Sequence, residues 1–184
     1  MANLINADPT NGLKLISDSS SEIQLQANGV TKATLSSAGF SSPGHVLQVV
    51  QGSNTTQLIT TSTSYVDSGL SASITPSSTS SKILVIVSHP TCEKRIDDAY
   101  NSINFRLLRG STVISSDPIA YGIGQTATTA LNLMFSVSFN YLDSPSTTSA
   151  ITYKTQIHNS AGTGEIKVQR SGAPSTITLI EVAG

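Results

Sequence analysis

Hydrophobic and polar residues alternate along most of this chain with a period of two, and not with the longer period of a helix. Near the N-terminus the alternating apolar positions are Leu13, Leu15, Ile23, Leu25, Ala27, Val30, Ala33 and Leu35. Side chains of a β-strand point alternately to its two faces, so each short run has one apolar and one polar face. A serine cluster and the Asn28-Gly29 turn separate the runs, which predicts short strands joined by tight turns.

The segment 1–44 is too small to build its own core, because chains below about 40 residues rarely bury enough surface to offset their ordering entropy. Its apolar faces therefore need a partner, either the rest of the chain or other copies of it. Pro43-Gly44 interrupts the alternation and marks the predicted end of this arm. We predict trimer formation or docking through Leu13, Leu15, Ile23, Leu25, Val30, Leu35 and Phe40.

Residues 45–184 contain strand-like runs at regular intervals, separated by turns rich in Gly, Pro, Asn and Asp. The predicted strands are 45–51, 57–62, 70–75, 82–88, 103–109, 112–115, 131–142, 151–158, 165–170 and 176–182. This spacing is typical of an all-β protein, and we predict an antiparallel, jelly-roll-like β-sandwich head.

Three of these runs predict positions within the sandwich. The run 82–88 is apolar on both faces, which favours a central core strand. The run 131–142 alternates and places Leu131, Leu133, Phe135, Val137, Phe139 and Tyr141 on one face. The run 176–182 closes the chain, and its removal is expected to destroy the fold.

The composition supports a protein with hydroxyl-rich strands and loops. There are 31 Ser and 22 Thr among 184 residues, while charged residues make up 11% and Trp is absent. Ser and Thr compete with helix formation by bonding to the nearby backbone, so few residues remain for helices. A formal net charge of −1 gives no electrostatic footprint for nucleic acid or an anionic membrane, and neither partner is expected.

The N-terminal sequence and the single cysteine bear on the compartment. The polar residues after Met1 lack the layout of a signal peptide, and the longest apolar run, 83–87, is far too short to cross a membrane. Cys92 has no second cysteine with which to form an intrachain disulfide. We expect synthesis in a cytoplasm without export through a signal of this kind.

No residue pattern in the chain predicts catalysis, a metal or a cofactor. His45, His89 and His158 lie in separate segments without metal-ligand spacing, although a threefold axis could gather three copies of one histidine. Cys92 lies in a predicted loop near His89, but this spacing does not place an imidazole on the sulfur. There is no G-x-S-x-G motif. We predict a chain that is not an enzyme.

Two surface features are candidates for contact with a partner. The predicted loop 93–101 holds the acidic cluster, and Arg95, Asp97, Asp98 and Tyr100 form its candidate contact residues. Tyr65, Tyr100 and Tyr121 could provide platforms for a sugar, whereas the alternative is that they pack at sandwich edges with the hydroxyl in water. A glycan on a host surface is therefore a possible ligand.

Two segments carry a resemblance to virion proteins of tailed phages. The sequence EIQLQANGVTKATLSSAGF (22–40) resembles short β-rich stalk repeats of phage fibres. The sequence from Val46 onward, including INFRLLRGSTVI (103–114) and STITLIEV (175–182), resembles a β-sandwich domain of aquatic phage virions. The resemblance implies a homotrimer on the outside of a phage particle that is anchored through its N-terminal segment and made in the bacterial host cytoplasm.

The resemblance leaves the position on the particle open. A decoration, or cement, protein would bind the major capsid protein, whereas a short tail fibre would join tail or neck proteins and touch the host. The brief stalk and the near-neutral head favour the decoration protein. The alternative from another class is a carbohydrate-binding module.

Overall fold

The chain forms two β-rich units. The computed structural model describes residues 22–37, 39–96, 100–116, 121–124, 131–160 and 164–184. Contacts divide the chain into Met1–His45 and Val46–Gly184. Of the residues predicted to make contacts, Leu13, Leu15, Asp97 and Asp98 lie outside the described residues.

The first unit contains a three-stranded antiparallel sheet in the order β1-β2-β3. Its strands are β1 (Ile23–Ala27), β2 (Val30–Ser36) and β3 (Gly39–Ser41). Asn28 and Gly29 join β1 to β2, and both have a positive φ, 52° and 73°. Two such residues match the twist of a hairpin, which explains why this Asn-Gly pair folds the chain back here.

The second unit is a sandwich of two antiparallel sheets. Its strands are β4 (Val46–Asn54), β5 (Leu58–Thr60), β6 (Val66–Ile74), β7 (Lys82–Ile96), β8 (Tyr100–Arg109), β9 (Thr112–Ser116), β10 (Tyr121–Gly124), β11 (Leu131–Asp143), β12 (Ile151–Asn159), β13 (Ile166–Val168) and β14 (Ser175–Val182). A short 3-10 helix spans Arg170–Gly172.

The strand order is that of a jelly roll. One sheet runs β4-β14-β7-β11, with β13 and β5 continuing beside the far half of β7. The other runs β6-β12-β8, and both β9 and β10 pair with the free edge of β8. If β9 and β10 are counted as one strand and the short β5 and β13 are left out, the two sheets have the orders 1-8-3-6 and 2-7-4-5. This order confirms the predicted jelly-roll-like sandwich.

The core lies between the two sheets and consists of two apolar clusters. The first includes Leu70, Ile83, Val85, Leu107, Tyr153 and Leu179, and the second includes Cys92, Phe105, Val137, Ile157 and Ile166. The predicted inward face of β11 is confirmed from Leu133 to Tyr141, where the even-numbered residues are exposed.

Three strand assignments from the sequence were wrong. β7 continues to Ile96, so Cys92 and residues 93–95 lie in a strand and not in a loop. β3 and β10 were not predicted at all. The strand continues through Pro90 because a register shift between β7 and β11 occurs between His89 and Cys92.

Polar side chains also join the two sheets. Asp143, at the end of β11, accepts two hydrogen bonds from Arg109 Nη1 of the opposite sheet, at 3.0 and 2.9 Å. Tyr153 Oη donates a third, 2.6 Å from Asp143 Oδ2. Burial and the neighbouring carboxylate raise the pKa of Tyr153, so its phenol stays a donor. These bonds fix the end of β11 against the second sheet.

Candidate functional site

The small sheet brings the described docking residues onto one face. Ile23 lies opposite Leu35, and Leu35 also lies opposite Phe40. Leu25 pairs with Ala33, and Ala27 pairs with Val30. Residues directly opposite each other in antiparallel strands project from the same side of the sheet. We call the face formed by Ile23, Leu25, Val30, Leu35 and Phe40 the docking face.

The docking face is open and the other face of the same sheet is polar. Leu25, Val30, Leu35 and Phe40 are 47–55% exposed, and Ala33 is a buried residue on this sheet. On the other face, Gln24 Oε1 accepts hydrogen bonds from Gln26 Nε2 and Thr31 Oγ1, both at 3.1 Å. Among the described residues of its own unit, the sheet therefore has an apolar side that is largely open to solvent and a side suited to water.

The predicted contact loop is only partly within the described chain. Arg95 is an exposed residue near the end of β7, and Tyr100 is the first residue of β8. Whether these residues meet a partner stays a prediction.

Glu93 belongs to the acidic cluster of the predicted loop 93–101, but it is a residue of β7 and is 1% exposed. It binds Lys167 Nζ at 2.9 Å and also pairs with Arg170 Nε. Burial raises the pKa of Glu93, but these two cations outweigh it and hold the pKa below its usual range. Glu93 is thus a structural ion that fastens β13 and the 3-10 helix to β7.

A row of polar side chains crosses the outer face of the sheet β6-β12-β8. Asp67, Gln156 and Arg106 are ladder neighbours on three adjacent strands. Gln156 Nε2 donates to Asp67 Oδ1 at 2.5 Å, and Arg106 Nε donates to Gln156 Oε1 at 2.8 Å. Lys154 Nζ lies 2.9 Å from Asp67 Oδ2. The hydrogen bond from Gln156, followed by that from Lys154, lowers the pKa of Asp67, which stays ionised at neutral pH.

An aromatic ring and a cleft border this polar row. The Arg106 guanidinium lies over the Tyr65 ring, 4.0 Å from the ring centroid. The His158 ring packs edge-on against Tyr65, with the two ring centroids 4.3 Å apart. Beside Asp67 is a cleft of about 310 Å³ that is lined by Asn54, Thr56, Gln57, Leu58, Asp67, Ser68 and Gly69. This volume is at the lower end of ligand sites, and the lining includes hydrogen-bonding groups on Asn54, Gln57 and Asp67.

Of the three predicted sugar platforms, the structure describes the side chain of Tyr65 alone, since Tyr100 and Tyr121 are described as backbone only. The other members of the row were missed. A signal was present, because Lys154, Gln156 and His158 alternate with apolar or buried positions in one run. That Asp67 of β6 and Arg106 of β8 lie beside Gln156 follows only from the pairing register of the three strands.

Two further described groups that could carry chemistry, His89 and Cys92, are buried. His89 Nδ1 lies 2.9 Å from Ser175 Oγ, and its Nε2 lies 3.2 Å from Thr155 Oγ1. Burial lowers the pKa of His89 to about 4, so the ring is neutral. Burial also raises the pKa of the free Cys92 thiol to about 12. Neither group can meet a substrate at the surface.

Among the described residues, no group of three or more His, Cys, Asp or Glu side chains could hold a metal ion. The described ranges likewise contain no helix with the length and hydropathy needed to span a bilayer.

Comparisons with known proteins give a distant likeness in structure. No family model matches the chain, and no curated protein matches it in sequence. The chain is similar to the VP2 subviral particle of infectious bursal disease virus, with a TM-score of 0.35 and 14% identity over 89% of this chain. It is also similar to T=1 particles derived from that virus, with a TM-score of 0.34 and 16% identity over 87% of this chain.

The chain spans about two fifths of the length of these two viral chains, 43% and 41%. At these scores the likeness carries no argument about what this chain does.

Proposed function

We propose that this chain is a non-enzymatic structural protein of a virus particle, a homotrimer that decorates the capsid of a tailed phage from outside. The docking face is the observation that carries this proposal. Apolar side chains that are about half exposed on one side of a small sheet mark an interaction site more often than a surface meant for water. The sequence resemblance of 22–40 to phage stalk repeats supports the same role.

The docking face suits a protein surface as its partner. It contains no charged side chain, so it can be buried without desolvating an ion. Each apolar side chain fully buried there stabilises the complex by about 1.5–3 kcal/mol before entropy is subtracted. Three copies on one particle multiply a weak contact through avidity. A capsid lattice presents such repeated sites, which favours decoration of the capsid over attachment to a tail.

The test is co-sedimentation of the full-length protein with capsid shells of the virus that encodes it. Leu35→Lys and Phe40→Lys place a charge on the docking face, and we expect each to weaken binding at least tenfold. Gln24→Lys is the matched control, because it adds the same charge to the polar face of the same sheet. A wild-type protein that does not bind shells, or variants that bind as tightly as the control, would overturn the proposal.

A second candidate function is saccharide binding at the polar row beside Tyr65. Charged and amide groups next to an aromatic ring and a cleft are the chemistry that recognises sugar hydroxyls. A glycan array probed with the full-length protein tests it. Asp67→Ala should abolish any signal, whereas Ser73→Ala, on the same strand and face, should leave it unchanged. Absence of signal from the wild type would rule out this candidate for the glycans on the array.

A further inference from the structure

A second apolar surface lies on the outer face of the sheet β4-β14-β7-β11, on the side opposite the core. Ile180 of β14 lies directly between Val49 of β4 and Leu84 of β7, and Leu84 lies beside Leu142 of β11. One row of four aliphatic side chains therefore crosses all four strands. Together with Ile86 and Val46 in the neighbouring rows, these residues form what we call the outer apolar face.

This surface is exposed to solvent, most strongly on its edge strands. Val46 and Val49 of β4, Ile86 of β7 and Leu142 of β11 are 40–59% exposed, whereas Val85 and Val87 on the opposite side of β7 are buried in the core. With strands about 4.8 Å apart and alternate residues about 6.7 Å apart, four strands by three rows cover roughly 400 Å², and the apolar side chains take up a little more than half of this area. An exposed apolar row that crosses a whole sheet and is rimmed by polar residues marks a place where another molecule binds.

Charge restricts what that molecule can be. The polar residues among the apolar ones, Gln51, Thr178 and Asn140, are neutral, and Gln51 Nε2 already donates to Thr178 Oγ1 at 2.9 Å. Lys82, beside Val182 at the margin, is the single ion in these three rows. A charged partner would find only the marginal Lys82 as a complementary ion, and identical copies of this face would bring together no like charges apart from Lys82.

We infer that a second copy of this chain covers the outer apolar face, and that three copies turn this face toward a common threefold axis. The inference rests on the homotrimer of the proposed function and adds which surface joins the copies. Roughly 400 Å² is about half of what one partner contributes to an interface of standard size. The neutral residues that flank the apolar row can supply part of the remaining interface area, and their burial does not require the desolvation of an ion.

The test measures the solution mass of the full-length protein by light scattering over a range of concentrations. Val49→Lys and Leu142→Lys place an ion on the outer apolar face, and we expect each to raise the dissociation constant of the trimer at least tenfold. Ile59→Lys is the matched control, since Ile59 is a strand residue of similar exposure, 46%, outside this face. The solution mass of the Ile59→Lys oligomer should equal that of the wild type at each concentration.

A second measurement does not depend on the lysine variants folding. A cysteine placed at Ile86 can be labelled with pyrene without labelling buried Cys92, whose thiol resists ionisation. We expect excimer emission, which requires two labels in contact, from Ile86→Cys and none from Ile59→Cys. The labelled proteins are compared at a concentration where the wild type is fully associated.

The outcomes separate this inference from the proposed function. A monomeric wild type at every concentration would overturn the homotrimer and this inference together. An oligomer that withstands both lysine variants and gives no excimer at position 86 would overturn only the contact through this face. Loss of binding to capsid shells in Val49→Lys, with the oligomer intact, would assign the face to the capsid and also overturn the contact between copies.

Discussion

His89 is a buried residue whose hydrogen bonds connect the two sheets. It bridges Ser175 of β14 and Thr155 of β12, and Thr155 Oγ1 lies 2.5 Å from Ser68 Oγ of β6. Both ring nitrogens face hydroxyls inside the core, so an added proton would place a buried cation there without a counter-ion among these partners. The free energy needed to bury this cation lowers the pKa of His89 to about 4.

Stability is therefore expected to fall as the pH decreases from about 6.5 to about 4. In this window the unfolded histidine binds a proton and the folded one does not, so acid favours the unfolded state. The interval between the two pKa values corresponds to about 3 kcal/mol in the free energy of unfolding. Urea unfolding at pH 7.5 and pH 4.5 measures the loss.

His89→Gln should reduce this pH dependence, because glutamine does not titrate. The variant is expected to cost about 1–3 kcal/mol at neutral pH if the amide leaves one hydroxyl unpaired. His158→Gln, on the outer face, is the control and should retain the loss in acid. An unchanged pH profile in His89→Gln would show that other groups cause it.

Gly52 determines how closely two strands from opposite sheets can approach. An added Cβ at this position would lie 2.0 Å from the backbone oxygen of Ser71, well inside any real contact distance. The close approach of β4 to β6 closes this side of the sandwich. Since the obstacle is backbone and not the end of a flexible side chain, the strands themselves would have to move apart.

We expect Gly52→Ala to lower the free energy of unfolding by about 3 kcal/mol or more, since overpacking costs about 1–3 kcal/mol even where side chains can adjust. Ser53→Ala, the exposed neighbour on the same strand, should stay within about 0.5 kcal/mol of the wild type. Chemical denaturation of the three proteins gives the comparison. Equal stability of Gly52→Ala and the wild type would show that β4 and β6 separate at little cost.

Strand elements could be predicted from the sequence where the alternation was uninterrupted. β11 has an inward face whose residues differ clearly from their neighbours, so pattern alone located this strand and its buried side. For β14, which has apolar residues on both faces, the pattern located the strand only. β7 was harder, because Glu93 acquires its counter-ions from Lys167 and Arg170, more than 70 positions away. A local pattern carries no information about such a partner.

The outer apolar face shows a different limit. Leu84 and Ile86 made the run 82–88 apolar on both sides, which predicted a strand covered on both faces. β7 is indeed central in its sheet, between β14 and β11. Ile86 is nevertheless 40% exposed. The pattern predicts a cover for this face, but a single chain does not contain the information on what provides it. The docking residues were predictable for the same reason, as members of an alternating run without a second layer.

At the scale of the whole molecule, the two units differ in how much surface they bury. The second unit has a continuous core formed by both sheets. Among the described residues of the first unit, Ala33 is the only buried apolar side chain. A three-stranded sheet needs a covered hydrophobic face for independent stability, so the described small sheet should depend on a partner for most of its stability.

Hydrogen exchange tests this difference without changing the sequence. In the free protein, we expect amides of β1 and β2 to exchange much faster than amides of β7, β12 and β14, because local opening of the small sheet exposes little apolar surface. Addition of capsid shells should slow exchange in β1 and β2 by at least tenfold and leave the sandwich strands unchanged, since a ligand stabilises the segment it binds. Equal protection of β1 and β14 in the free protein would contradict the dependence on a partner. Slowed exchange confined to the sandwich would place the particle contact on the second unit.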